Sequence, residues 1–233
     1  MTILGIDTSS KACSCALTRD GQLLNENVMN LGLTHSQTLM PAVDQLFETV
    51  CLQPSDVEMF AVVTGPGSFT GVRIGVCAVK ALCLALNRPC AAVDALEALA
   101  EGSSFEGCIS PILDARRDQV YTALFERRNG VLKRLSADEA LPLGEWLTRM
   151  EKHQIVYFTG DGLNTYEDYI RRNSKFEALI APGHQRLLRA SAVCTVAEHD
   201  ESTRTDAALL TPLYLRLSQA ERERNERLSR HRA

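Results

Sequence analysis

Two short apolar runs end in an acid. Ile3-Leu4-Gly5-Ile6-Asp7 is followed by Thr8-Ser9-Ser10, and Ile109-Ser110-Pro111-Ile112-Leu113-Asp114 by Ala115-Arg116-Arg117. A carboxylate at the end of a buried strand, beside hydroxyls and the N–H groups of a tight turn, suits one chemistry. The acid faces a metal–nucleotide, and the backbone N–H and hydroxyl donors face phosphate oxygens. Asp7, Thr8 and Ser9 are candidates for such weak nucleotide binding. Asp114 is the second acid, although Arg116 and Arg117 stand where a small residue and Gly would ease the turn. Gly160-Asp161-Gly162 offers a third backbone loop. The plainer alternative is that these acids and glycines only terminate strands.

Other chemistries find little support. Gly65-Pro66-Gly67-Ser68-Phe69-Thr70-Gly71 lacks the Gly-Lys-Ser/Thr ending of a phosphate loop, so its glycines are read as packing residues. Ser68 is not in a GxSxG elbow. His35, His153, His184, His199 and His231 show no i,i+4 pair, so no metal site is expected. The eight cysteines form no CxxC and mostly sit in apolar segments, as small buried hydrophobes do.

The elements that would position Asp7 and Asp114 recur. Strands are expected at 3–7, 12–18 and 22–29, with Asp20-Gly21 as a hairpin turn. Strands at 109–114, 119–125 and 131–135, with the turn Asn129-Gly130, repeat that plan as an internal duplication. A strand–acid–strand unit in duplicate is the phosphate-clamping element of the actin, Hsp70 and sugar-kinase fold group, by fold analogy. The expected fold is therefore α/β and two-lobed, with a shortened second lobe. Polar residues 101–107 place the boundary, giving lobes at 1–102 and 103–216 and a charged tail at 217–233.

Two helices look unlike solvated surface helices. On residues 35–51 the core stripe centres on Leu39, Val43, Leu46 and Val50, with Met40, Phe47 and Cys51 on a flank. On residues 71–86, Gly71, Gly75, Ala78 and Leu82 share the face expected to meet the sheet. Val76, Cys77 and Leu84 then surround Arg73 and Lys80 on the opposite side. A helix apolar all round is covered on both sides. Met40, Phe47, Arg73, Val76, Cys77, Lys80 and Leu84 are therefore the expected partner contacts.

The chain has 233 residues, of which 45% are hydrophobic and 23% charged. That balance disfavours disorder and coiled coil. No uninterrupted apolar window approaches a membrane span, and no export signal opens the chain, so a cytoplasmic, non-membrane protein is expected. The net charge of −4 conceals a tail: residues 216–233 hold six Arg and three Glu. The rest is acidic and so no general nucleic-acid platform. The tail could touch RNA, or be a solvated terminal helix.

Ile-Asp-Thr-Ser at 6–9, Gly-Pro-Gly-Ser-Phe-Thr-Gly-Val-Arg-Ile-Gly at 65–75, Asp-Ala-Arg at 114–116 and Pro-Leu-Tyr-Leu-Arg at 212–216 together resemble the TsaB/YeaZ family. The resemblance implies a scaffold or activator subunit in making tRNA N6-threonylcarbamoyladenosine. In that family TsaC makes threonylcarbamoyl-adenylate, and TsaD, a paralogue of TsaB, transfers the group to tRNA. TsaB heterodimerises with TsaD, forms a homodimer when alone, and the pair engages the ATPase TsaE; tRNA is met indirectly. The catalytic paralogue holds a metal with His-x-x-x-His after a short strand. Here Ala95 and Leu99 stand at those positions, which implies a non-catalytic chain with no cofactor of its own. ATP or ADP with Mg would then belong to the complex. The alternatives are a nucleotide-hydrolysing enzyme of the actin-like ATPase group using Asp7 and Asp114, or a glycoprotease-like peptidase.

Overall fold

The computed structural model describes residues 1–216; the expected tail at 217–233 lies outside the described residues. β1 (Thr2–Asp7), β2 (Cys13–Arg19) and β3 (Gln22–Met29) pair antiparallel in sequence. Asp20 and Gly21 turn β2 into β3 with φ of 50° and 74°, the left-handed pair that matches strand twist. α1 (His35–Val50), β4 (Met59–Gly65), α2 (Phe69–Leu86), β5 (Cys90–Asp94) and α3 (Ala95–Glu101) follow. β4 lies parallel to both β1 and β5.

The second unit holds β6 (Gly107–Asp114), β7 (Gln119–Thr122), β8 (Phe125–Arg128), β9 (Val131–Arg134) and β10 (Glu139–Pro142). Then come α4 (Leu143–Met150), β11 (Ile155–Thr159), α5 (Leu163–Asn173), β12 (Glu177–Ile180), α6 (Ala190–His199) and β13 (Arg204–Thr205). The duplication is visible in the pairing. β6 meets β7 through Ile112–Asp114 and β8 through Gly107–Ile109, both antiparallel. β7 and β8 are thus one interrupted strand, standing where β2 stands in the first unit. β9 corresponds to β3, β11 to β4 and β12 to β5. The second unit is smaller by element length: α4 and α5 have 8 and 11 residues against 16 and 18 in α1 and α2.

β1 alternates its side chains between two cores, as a strand must. Leu4 and Ile6 face α1 and α2, while Ile3 faces α3 and α6. A Cβ on Gly5 would stand 2.6 Å from the Ala190 carbonyl oxygen, so α6 lies directly on the strand. Ile109, Leu113 and Phe125 of the second unit share the cluster of α3 and α6. Those two helices are therefore sandwiched between the sheets, with α1 and α2 on one outside and α4 and α5 on the other. This two-lobed α/β plan is that of the actin, Hsp70 and sugar-kinase group.

A single cut at 102/103 does not describe the lobes. α6 packs on β1, β2, β4 and β5, and β13 extends the first sheet beside β5. α3 has only seven residues, too short to cover that sheet face, and α6 completes the cover. The segment after it also stays with the first unit: Leu210 is buried with α1 and α2, and the Leu213 N–H donates to the Thr64 carbonyl at 2.7 Å. α2 is long and apolar enough to cross a membrane by length and composition. Here it lies on β4 and buries Val72, Val76, Val79 and Cys83.

Candidate functional site

A cleft of about 440 Å³ opens between the lobes where β1 and β6 end, the place where open α/β sheets take ligands. Asp7 is fully buried beside it. Its Oδ1 accepts the Ser9 N–H at 2.8 Å, and its Oδ2 has no hydrogen-bond partner among the described residues. Burial pushes its carboxyl up to about 6, against the opposing pull of the Ser9 hydrogen bonds. Thr8 and Ser9 are buried as well.

The glycine-rich segment explains that burial. The Thr8 hydroxyl donates to the Gly71 carbonyl at 2.7 Å, and the Ser68 N–H donates to the Ser9 carbonyl at 2.6 Å. A Cβ on Gly67 would stand 2.3 Å from the Ser9 carbonyl oxygen, one on Gly71 2.0 Å from the Thr8 carbonyl oxygen, and one on Gly75 2.5 Å from the Thr8 hydroxyl. Only glycine lets the start of α2 close over the first acid-terminated hairpin. The Thr8 donor that would face phosphate is thereby used inside the protein.

The second hairpin is built differently. Asp114 lines the cleft and its Oδ1 accepts the Arg116 N–H at 2.7 Å. Arg116, Arg117 and Asp118 all hold left-handed φ, at 64°, 53° and 57°, a conformation costly for residues bearing a Cβ. Gly160 and Gly162 let their loop rest on β6: added Cβ atoms would lie 2.4 and 2.7 Å from the Ile112 carbonyl oxygen. Asp161 between them lines the cleft, and burial pushes its carboxyl upward. Asp161 is close enough to feel Asp114 and to be felt by Asp7. Of the expected residues, Ser9, Asp114 and Asp161 line the cleft, joined by Lys11 and Arg216, while Asp7 and Thr8 are buried next to Ser9 in the chain and do not line it. The sequence names Arg216 only within the 212–216 motif and the basic end, and assigns neither it nor Lys11 to the site, because only the fold brings them to these walls.

The expected partner contacts divide. Phe47 and Val76 are only 6% and 3% exposed and belong to the core. They are corrected from surface to interior. Of the expected face, Gly71 and Gly75 are buried and Ala78 and Leu82 half-buried, but the buried stripe of α2 also takes in Val72, Val76, Val79 and Cys83, one position further on. An evenly apolar helix leaves a wheel too little contrast to place its core face. Met40 and Leu84 are 40% and 67% exposed. Arg73, Cys77, Ala81, Leu84 and Ala85 form an exposed row at helical spacing along α2.

Arg73 and Lys80 also hold the returning chain. Lys80 Nζ donates to the Ala208 and Leu210 carbonyls at 3.2 Å. Arg73 Nε donates to the Tyr214 hydroxyl at 2.7 Å, and its guanidinium lies 3.9 Å over the Phe69 ring. The strap 206–216 presents Leu209, Leu213 and Tyr214 to solvent. The sequence signals only its Leu213-Tyr214-Leu215-Arg216 end, since an extended strap has no periodicity. Among the described residues no group of three or more His, Cys, Asp or Glu side chains could hold a metal. Ala95 and Leu99 are buried in the cluster of α3 and α6.

A family model described as TsaD, tRNA N6-adenosine threonylcarbamoyltransferase, matches residues 31–224. The Bacillus subtilis (strain 168) protein named tRNA threonylcarbamoyladenosine biosynthesis protein TsaB is 39% identical over 223 residues, covering 95% of this chain and 96% of its own. The solved structure of YeaZ from Pseudomonas aeruginosa superposes with a TM-score of 0.77 at 28% identity, over 92% of this chain and 99% of that one. The ethanolamine utilization protein EutJ from Carboxydothermus hydrogenoformans shares the fold, with a TM-score of 0.51 at 11% identity over 83% and 89% of the two chains. With near-complete coverage by a TsaB relative and a TsaD family match over most of its length, the chain belongs to the TsaB/YeaZ family, within the wider TsaD family.

Proposed function

We propose that this chain is a docking subunit in the synthesis of tRNA N6-threonylcarbamoyladenosine, holding TsaD competent for transfer rather than transferring the group itself. The observation that carries this is the exposed apolar row on α2. Cys77, Ala81, Leu84 and Ala85 stand in solvent on an 18-residue helix whose only charges are Arg73 and Lys80. An apolar centre with cations at its edge suits a helix-on-helix interface. Met40 on α1 would extend it, and the same face would serve a homodimer when TsaD is absent.

The cleft supports a non-catalytic role. A kinase-like or ATPase site needs free donors at its phosphate hairpin; the Thr8 hydroxyl is already committed to Gly71, which leaves the Ser9 hydroxyl there without a partner among the described residues. ATP or ADP with Mg, and TsaE, would then act on the assembled pair. The test is reconstitution: tRNA threonylcarbamoylation by TsaC, TsaD and TsaE, with and without this chain. Strong dependence on the chain is expected. Activity that does not depend on it, or ATP turnover by the chain alone that Asp7→Ala abolishes, overturns the reading.

A further inference from the structure

Arginines elsewhere in the second unit are neutralised where they stand. Arg127 meets Glu101, Arg149 meets Glu139 and Glu145, and Arg186 meets Glu167. Three cations that line the cleft, and Arg117 next to one of them in the chain, differ. Lys11, Arg116, Arg117 and Arg216 form no ion pair among the described residues. Lys11, Arg116 and Arg216 come from three separate segments and line one cleft. Arg216 is fixed there, its Nη1 donating to the Ala115 carbonyl at 2.6 Å. Arg116 and Arg117 project from a turn held in left-handed conformation.

The carboxylates nearby offset this charge only in part. Asp114, Asp118 and Asp161 set three carboxylates against the four cations, and Lys11 and Arg116 oppose the upward push of burial on Asp161. The start of α2 opens on the same mouth at Ser68, Phe69 and Thr70, where a long helix favours an anion. Tyr214 stacks on Phe69 at 4.4 Å beside it, an aromatic surface between cations. Beyond Arg216 the sequence carries five more Arg at 222, 224, 227, 230 and 232.

We propose that this rim is a docking strip for the phosphodiester backbone of RNA. Position selects the ligand. A mononucleotide would seat its phosphates on the cleft floor, where Thr8 and Ser9 are buried. Lys11, Arg116 and Arg117 are exposed, as contact with an extended polyanion requires. Interleaved cations and aromatic rings suit a single strand, whose bases stack while its phosphates pair. That the RNA is tRNA rests on the function proposed above; the strip itself does not.

The experiment measures binding of the full chain alone to an unmodified tRNA transcript across a salt series, with ATP as competitor. Lys11→Gln/Arg116→Gln/Arg117→Gln should weaken binding at least tenfold at low salt. It should also lower the salt slope by about two to three, since each lost phosphate contact contributes about 0.7–0.9. ATP should not displace the RNA. An unchanged affinity and slope overturns the strip, and displacement by ATP assigns the cations to a mononucleotide instead and also overturns it. Co-elution with TsaD reads the α2 face rather than this rim, so either proposal can fail alone.

Discussion

The Thr8 hydroxyl donates to the Gly71 carbonyl at 2.7 Å, joining the turn after β1 to the first turn of α2. The hairpin that fold analogy would turn toward phosphate is here closed by its own chain. The lobes, the acids and the cleft of a phosphate-handling fold are kept, and the Thr8 donor is withdrawn. That combination suits a protein whose outer surface, rather than its cleft floor, meets its partner.

Gly71→Ala tests how tightly the closure is made. The new Cβ would stand 2.0 Å from the Thr8 carbonyl oxygen, a backbone atom that cannot rotate away. Ala gains about 1 kcal/mol of helix propensity over Gly. Relieving the clash costs about 1–3 kcal/mol or more. Urea unfolding should show net destabilisation, while Gly183→Ala, with open space around it, should change stability by under about 0.5 kcal/mol. Equal midpoints for the two variants would remove the close-packing account.

Leu84→Glu and Phe47→Ala separate the docking face from the core. Leu84 is 67% exposed; Glu there should leave stability within about 0.5 kcal/mol. In the interface it would bury an unpaired charge, so co-elution with TsaD should be lost. Phe47 packs in the cluster beneath, and its truncation should cost about 3–5 kcal/mol. Intact co-elution of Leu84→Glu with TsaD sinks the docking assignment.

Much of this was legible in the sequence. Asp20-Gly21 and Asn129-Gly130 announced hairpins because turn chemistry is local, and the two acid-terminated runs announced the duplication. The side of α2 was legible at Gly71 and Gly75 but not further along the helix. Gly71 and Gly75 approach Thr8 while Val72, Val76 and Val79 fill the core, and no periodicity separates these when both faces are apolar. The return of α6, β13 and the strap to the first lobe was hidden too. Their sequence shows that Val193 and Leu210 are apolar, not which sheet they will cover.

Asp7 should make stability fall as pH rises. Its carboxyl sits at about 6 in the folded chain against 3.8 for the unperturbed group, with burial the main cause. Between those values the folded state holds the extra proton, so stability is lost as pH climbs from about 4 to about 6 and levels off above. About two pKa units correspond to about 3 kcal/mol. Asp7→Asn keeps an acceptor for the Ser9 N–H without the buried charge. It should match the parent near pH 4 and exceed it at pH 7.5, by urea denaturation at both. A variant less stable than the parent at pH 7.5 contradicts the assignment.

Arg134 binds the lobes by charge, and its loss should be pH-dependent. From β9 its Nη2 lies 2.9 Å from Asp94 Oδ1, at the cap of α3, and 3.3 Å from Glu97 Oε2; it also bonds Asp138. Burial, and then Asp138, push the Asp94 carboxyl upward, with Arg134 opposing. Arg134→Gln removes that opposition, so the folded chain would hold the Asp94 proton more tightly still. A raised carboxyl stabilises at low pH and loses that contribution as pH rises. The part of the deficit that Asp94 carries should therefore be absent at pH 5.5, where that carboxyl is protonated, and should open as pH passes about 8, so the deficit should be larger at pH 9 than at pH 5.5. Arg128→Gln, at a side chain 77% exposed, should change little at either pH. A deficit equal at both pH values would mean that Arg134 acts through Glu97, Asp138 or its packing on Phe125, 4.6 Å from the ring centroid, and not through Asp94.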